Sequence, residues 1–140
     1  MIATASERQA AFLKELGADT VLDYSSVPFE DVVQGVDAVL DTVGGGTLER
    51  SWGVVRRDGV IVTIADDAPE DKAAKYGVRA ASILVQPNRD ELIQIGKLLD
   101  AGTIRPIVQA VFPLSDAREA FARPPLGGHN RGKIVLRVTN

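Results

Sequence analysis

The sequence predicts an α/β fold built on a largely parallel sheet, and three observations carry that prediction. Segments of strand character alternate with segments of helix character along the chain. The strand segments at 36–40 and 59–64 are nearly unbroken apolar runs, VDAVL and GVIVTI, as in strands covered on both faces. At 140 residues, with 45% hydrophobic and 25% charged residues, the chain matches one globular domain able to bury a core.

The elements follow in order. Residues 2–5 are short, apolar or β-branched, and read as a buried strand. Ser6 then stands as a helix N-cap, with Glu7 and Arg8 in the first turn. Ala10, Phe12, Leu13 and Leu16 recur near helical spacing, and Gly17 supplies the stop. A strand at 20–22 ends in Asp23-Tyr24, and a short loop containing Pro28 leads to the 36–40 strand. Asp41, Thr42, Val43 and Gly44 open the turn after it. A helix is expected from Thr47 to about Val55, capped by Arg57-Asp58-Gly59, before the strand at 59–64. A polar surface stretch separates that strand from another at 79–85. Asn88 caps an amphipathic helix through Leu99 that carries Leu92, Ile95, Leu98 and Leu99 on one face, with Gly102 just beyond its end. A strand at 107–112, a short helix capped by Ser115 and running to Phe121, and a strand at 133–138 complete the chain. No internal repeat, low-complexity tract or linker interrupts it.

Composition removes several function classes. A net charge of −3 gives no basic stripe for nucleic acid. No apolar run approaches the roughly 18 residues needed to cross a bilayer. The N-terminus lacks the basic start and apolar core of a signal peptide, so a cytoplasmic protein is the expectation. There is no cysteine and a single histidine, His129, which removes disulfides, cysteine nucleophiles and a Cys/His zinc site within this chain. No G-x-S-x-G elbow accompanies His129, so a Ser-His-Asp hydrolase is disfavoured. His129 itself reads as a surface loop residue.

Open sheets of this kind bind ligands beyond the C-terminal ends of their strands. That rule directs attention to residues 4–8, 23–24, 41–46 and 64–66.

The string ATASERQAAFLKELGADTVLDY, followed by VDAVLDTVGG, GVIVTIA and RPIVQAVFPLSDAREAF…GHNRGKIVLRV, resembles the medium-chain dehydrogenase/reductase superfamily, and within it the zinc-independent quinone oxidoreductase-like branch. The likeness covers essentially the whole chain in the family's order of segments. It implies a Rossmann-like, doubly wound sheet that lacks its first strand and glycine-rich loop, because the family places both ahead of the ATAS strand. Ahead of them, in the family, lies a separate substrate domain. Residues 1–140 are therefore expected to be a truncated dinucleotide-binding domain whose part at about 103–140 packs on an absent catalytic domain. Met1, the sole methionine, stands where the family has an apolar strand residue, so the natural polypeptide is expected to be longer. GGGTLE at 44–49 is glycine-rich but follows the wrong strand for a phosphate loop. It reads instead as a close backbone approach to the nicotinamide side of the cofactor.

The resemblance also implies a cofactor site. NAD-preferring domains carry Asp or Glu at the end of the second strand of the complete sheet, to accept from the ribose 2′-OH. Here that position is Thr4, with Ser6 and Arg8 just beyond as donors to a 2′-phosphate, which favours NADP(H) over NAD(H). Glu7 and Gln9, the latter where related reductases often carry lysine, weigh the other way. Ser6 reads equally as an N-cap alone and Arg8 as a solvated charge. Tyr24 matches a family tyrosine near the adenosine end, or packs at a strand end. Asp41, Thr42, Val43 and Gly44 line the family's cofactor cleft, with a turn-forming Asp41 as the alternative. Ile64 and Ala65 flank the nicotinamide ribose. Asn130 and Arg131 read mainly as loop polarity, and Trp52 as packing on the helix that starts at Thr47, with no aromatic partner nearby. No residue is assigned as catalytic.

In the full protein the implied activity is hydride transfer to a small-molecule quinone or enone, with this chain inactive alone. Alternatives are a non-catalytic binding or dimerisation module, or a piece of a zinc alcohol dehydrogenase or an enoyl reductase. The 79–85 strand is expected to pair with its twofold mate in a homodimer.

Overall fold

A computed structural model describes residues 1–122 and 132–139. Those residues form seven strands and six α-helices in two compact units, residues 1–86 and 87–140. Every strand pair in them is parallel, as the alternating pattern requires. The strands do not join into one sheet, however. They form three separate sheets.

In the first unit, β1 (Ile2–Ala5) pairs with β2 (Thr20–Asp23), Ile2 opposite Thr20 and Ala5 opposite Asp23. Between them a 3₁₀ turn (Glu7–Gln9) leads into α1 (Ala10–Glu15), and Gly17 ends the helix at φ 104°. The second sheet has the order β3 (Val36–Asp41), β4 (Val55–Thr63), β5 (Arg79–Ser82). Its connections are α3 (Gly45–Ser51) and α4 (Glu70–Tyr76), and α2 (Phe29–Val32) precedes β3.

The core of this unit lies where α2, α3 and α4 meet β4. Phe29, Leu48, Trp52, Ile61 and Ala73 are buried there together. Trp52 is 1% exposed and stacks on Tyr76, ring centroids 6.1 Å apart. Trp52 is thus core packing as expected, but with the aromatic neighbour that the sequence did not reveal.

Four local expectations are corrected. The stretch at 66–78 contains α4, which docks through Ala73 and ends at Gly77 in the left-handed conformation. The loop after Pro28 contains α2, anchored by buried Phe29. The helix after Gly44 ends at Ser51 rather than near Val55, and residues 57–59 form an irregularity inside β4. There the pairing steps from Val36↔Val55 to Ala38↔Val60. Gly59 is required at that point, because a Cβ would lie 2.9 Å from the carbonyl oxygens of both Asp37 and Arg56. Finally, β5 stops at Ser82, so residues 83–85 lie beyond the strand.

The second unit holds α5 (Arg89–Asp100), β6 (Val108–Pro113), α6 (Ala117–Ala122) and β7 (Lys133–Arg137), with β6 parallel to β7. Asn88 caps α5 as predicted, its Oδ1 accepting from the amides of Asp90 at 3.0 Å and Glu91 at 3.2 Å. Ser115 does not cap α6. It lies inside a 3₁₀ turn (Leu114–Asp116) and donates to the Asp116 carboxylate. The apolar stripe of α5 is exposed at Leu92, Ile95, Leu98 and Leu99. His129, Asn130 and Arg131 lie outside the described residues.

Candidate functional site

The candidate residues fall into two groups, each at the C-terminal ends of parallel strands. The first gathers at the ends of β1 and β2. The backbone ties these ends together through the Tyr24 amide, which donates to the Ala5 carbonyl at 3.2 Å. Thr4, Arg8 and Tyr24 are exposed there. Ser6 occupies the N-cap position, yet its hydroxyl makes no cap bond. Its Oγ is buried and has no hydrogen-bond partner among the described residues. A buried hydroxyl without a partner is unusual, since the great majority of such atoms are satisfied. Beneath this group Asp23 holds the turn that follows β2. Its carboxylate accepts from the Ser26 hydroxyl at 2.7 Å and from the Ser25 amide and hydroxyl. Those bonds, Ser26's first, hold the Asp23 carboxyl below its ordinary range.

The second group gathers at the ends of β3 and β4. Asp41, 3% exposed, accepts from the amides of Val43 at 3.2 Å and Gly44 at 3.1 Å. Thr63, fully buried beside it, donates its hydroxyl to Asp41 Oδ2 at 2.7 Å. The same Oγ1 accepts from the amides of Ala65 and Asp66, both at 3.2 Å. The Ile64 amide donates to the Asp41 carbonyl at 3.0 Å. One threonine and one aspartate thereby fix both strand-end loops, and the carboxylate of Asp41 is consumed in doing so. Thr42 and Val43 remain exposed, as do Ile64 and Ala65.

Gly44 stands where the two loops touch. Its φ of 76° and ψ of −166° belong to a region reserved for glycine, and a Cβ would lie 3.1 Å from the Ala65 carbonyl oxygen. The adjacent Gly45 amide donates to the Asp66 carboxylate at 2.9 Å. That bond, then the Asp67 amide, holds the Asp66 carboxyl below its ordinary range. Thr63 is absent from the residues that the sequence singled out, and Asp66 lay within the 64–66 stretch without an assigned role. Thr63 sits directly opposite Asp41 in the β3–β4 register, which is information only the pairing supplies.

Thr4 belongs to one group and Asp41, Thr42 and Val43 to the other, and all four line a single cavity of about 740 Å³. That cavity runs along β1 and β3 from Met1 and Val36 to Val43, and Ser6, Arg8, Tyr24, Gly44, Ile64 and Ala65 are not among the residues that line it.

Among the described residues, no group of three or more His, Cys, Asp or Glu side chains could hold a metal ion. Nor is any described helix long and apolar enough to cross a membrane.

Residues 16–136 match the family model described as "Zinc-binding dehydrogenase". The chain belongs to that family. This zinc-binding dehydrogenase family member is 35% identical to the quinone oxidoreductase from Coxiella burnetii, with a TM-score of 0.82 over 99% of the chain and 44% of that protein. It is 26% identical to a probable mitochondrial zinc-binding oxidoreductase of Arthroderma benhamiae, over 99% of the chain and 44% of the relative. It is 27% identical to the chloroplastic NADPH-dependent alkenal/one oxidoreductase of Arabidopsis thaliana, over 96% of the chain and 32% of the relative. The chain thus spans less than half the length of each. The relatives are medium-chain dehydrogenases/reductases, and the fold is the Rossmann-like one of their C-terminal cofactor-binding domain. Despite the family's description, no set of donors for a zinc site is found among the described residues.

Proposed function

We propose that residues 1–140 form the cofactor-binding part of an NADP(H)-dependent reductase of quinones or enones, and that they are inactive without the rest of such an enzyme. The observation that carries this reading is the unpartnered, buried Ser6 hydroxyl at the end of β1. Turned outward from its buried position, the Ser6 hydroxyl would find an acceptor in a 2′-phosphate at this strand end, and Arg8, exposed beside it, would add a charge-assisted donor. Thr4 is uncharged, so no carboxylate competes there for the ribose 2′-OH that marks NAD preference. The Arabidopsis relative's NADPH dependence and the Coxiella relative's quinone chemistry support the same cofactor and substrate class.

Within this reading the chain contributes binding and orientation. Ser6, Arg8 and Tyr24 hold the adenosine end. The loops pinned by Asp41 and Thr63 present Thr42, Val43, Gly44, Ile64 and Ala65 toward the nicotinamide end, with Gly44 admitting close backbone approach. The bound dinucleotide supplies the hydride, and no side chain here is assigned a proton. Substrate contacts belong to polypeptide outside these residues. Residues 103–140 are proposed to pack against it, in keeping with the exposure of Val108, Val111 and Val138.

A homodimer through residues 79–85 is part of the proposal. It rests on β5 being one of the two edges of its sheet among the described residues and on Leu84 and Val85, each 82% exposed. A monomer by light scattering at micromolar concentration would remove it.

Fluorescence titration of the chain with NADPH and NADH tests the cofactor assignment. NADPH is expected to bind more tightly, and Arg8→Ala to weaken NADPH about tenfold to a hundredfold while leaving NADH unchanged, since a hydrogen bond to a charged group contributes about 1.5–3 kcal/mol. Equal affinity for the two cofactors, or equal losses for both in the variant, would reject NADP(H) preference.

A further inference from the structure

Three side chains shape the loops that follow β3 and β4. Asp41 takes the amides of Val43 and Gly44, Thr63 those of Ala65 and Asp66, and Asp66 those of Gly45 and Asp67. None of those amides is left to receive an anion. The surface therefore meets a ligand through its shape, its carbonyl oxygens and the exposed residues Thr42, Val43, Ile64 and Ala65. A surface of that kind binds well only when its two loops stand at the right spacing.

Of the three side chains, Thr63 has the most rigid support. β4 is the middle strand of its sheet, and Thr63 lies opposite Asp41 in β3 and Ser82 in β5. Its carbonyl accepts from the Ile83 amide at 2.9 Å, which ties its backbone on the β5 side. Its hydroxyl uses its full capacity of one donor and two acceptor positions. One oxygen atom thus holds the loop after β3, through the Asp41 carboxylate, and the loop after β4, through two amides. The loops touch with little tolerance, since a Cβ on Gly44 would stand 3.1 Å from the Ala65 carbonyl oxygen. Asp66 adds a second clamp from the exposed side by accepting the Gly45 amide at 2.9 Å.

The adenosine group lies outside this arrangement. β1 and β2 form a sheet of their own, and Asp23 holds the turn after β2 through Ser25 and Ser26. Among the described residues, no backbone hydrogen bond runs from residues 1–24 to residues 41–66.

We propose, resting on the cofactor assignment above, that Thr63 is a positioning residue for the nicotinamide half of the dinucleotide. Its hydroxyl sets the spacing of the two loops, through Asp41 on one side and the Ala65 and Asp66 amides on the other, and its influence stops at that half. Being fully buried, Thr63 acts on a ligand only through the groups it holds. Those groups all lie at the ends of β3 and β4.

Calorimetric titration of the 140-residue chain with NADPH and with adenosine 2′,5′-bisphosphate, which has the 2′-phosphate and no nicotinamide, separates the two halves. Thr63→Val is expected to weaken NADPH about tenfold, the weight of one hydrogen bond, and to leave the bisphosphate unchanged. Thr63→Ser keeps the hydroxyl and loses the buried methyl. It should lower the stability of the unit yet bind NADPH as the parent does. At saturation, the dihydronicotinamide emission should be enhanced in the parent and the serine variant and stay near that of free NADPH in the valine variant. Asp66→Ala, at an exposed position, should weaken NADPH alone, and it decides the matter if the valine variant does not fold.

Equal losses for both ligands in Thr63→Val would overturn the proposal, because the effect would then be a general distortion. So would unchanged NADPH affinity in folded Thr63→Val or in Asp66→Ala, or a serine variant as weak as the valine one. A parent chain that binds the bisphosphate as tightly as NADPH would remove this proposal and leave the adenosine-end assignment standing. A parent chain that binds neither ligand would remove both.

Discussion

Replacing Thr63 by valine keeps the shape of a fully buried side chain and removes only its hydroxyl. Three hydrogen bonds go with it: the 2.7 Å bond donated to the Asp41 carboxylate and the two 3.2 Å bonds accepted from Ala65 and Asp66. The amides of Ala65 and Asp66 lie in an exposed segment, where water replaces the lost acceptor at little cost. Asp41 has no such recourse, being 3% exposed, although it keeps the amides of Val43 and Gly44. The loss is therefore close to one hydrogen bond to a charged group, about 2 kcal/mol. Trp52, the only tryptophan, sits in the core of residues 1–86, so its fluorescence during urea unfolding reports that unit alone. With a urea slope of about 2 kcal/mol per molar, the midpoint should fall by about 1 M with the slope unchanged. A fall under about 0.3 M would refute the reasoning, because the Asp41–Thr63 bond would then hold nothing together.

Gly44→Ala should destabilise the same unit by about 1–3 kcal/mol, since alanine is forced into a glycine-only backbone region against the Ala65 carbonyl. Thermal unfolding followed at Trp52 checks this, and an unchanged midpoint would contradict it. Asp66 carries a pH prediction. Its folded carboxyl lies below the ordinary value of 3.8, chiefly because the Gly45 amide donates to it. The stabilisation it gives is complete above that value and is lost as the pH falls through the lower folded value. Asp66→Asn should flatten the acid limb by lowering stability near neutrality while leaving it unchanged below the folded value. A limb identical to that of the parent chain would dismiss the role.

The parts of the fold legible in the sequence are those set by local chemistry. β1 was expected at residues 2–5 as a buried strand and is found there, though none of its four residues is buried, and Asn88 with its following apolar stripe announced α5. α4 escaped because its seven residues bury only Ala73, too few for a helical period to show. The Trp52–Tyr76 stack escaped because it joins residues from α3's end and α4, brought together only by tertiary packing. β3 read as covered on both faces, yet Ala38 and Leu40 are exposed, because an apolar run encodes the demand for a neighbour and not its presence. At the site, the rule of strand C-terminal ends pointed to residues that do follow the C-terminal ends of β1, β2, β3 and β4. What it could not give was the division of labour, in which Asp41 and Thr63 build the loops that Val43 and Ala65 stand on. That pairing exists only through the cross-strand register.

The most direct test of the account is a ¹⁵N amide map of the chain titrated with NADPH. Shifts are expected at residues 6–8 and 24 together with residues 42–44 and 64–65, with NADH failing to move Ser6 and Arg8 to the same extent. Shifts confined to other residues, or none at saturating cofactor, would contradict the claim that these strand ends form a dinucleotide site.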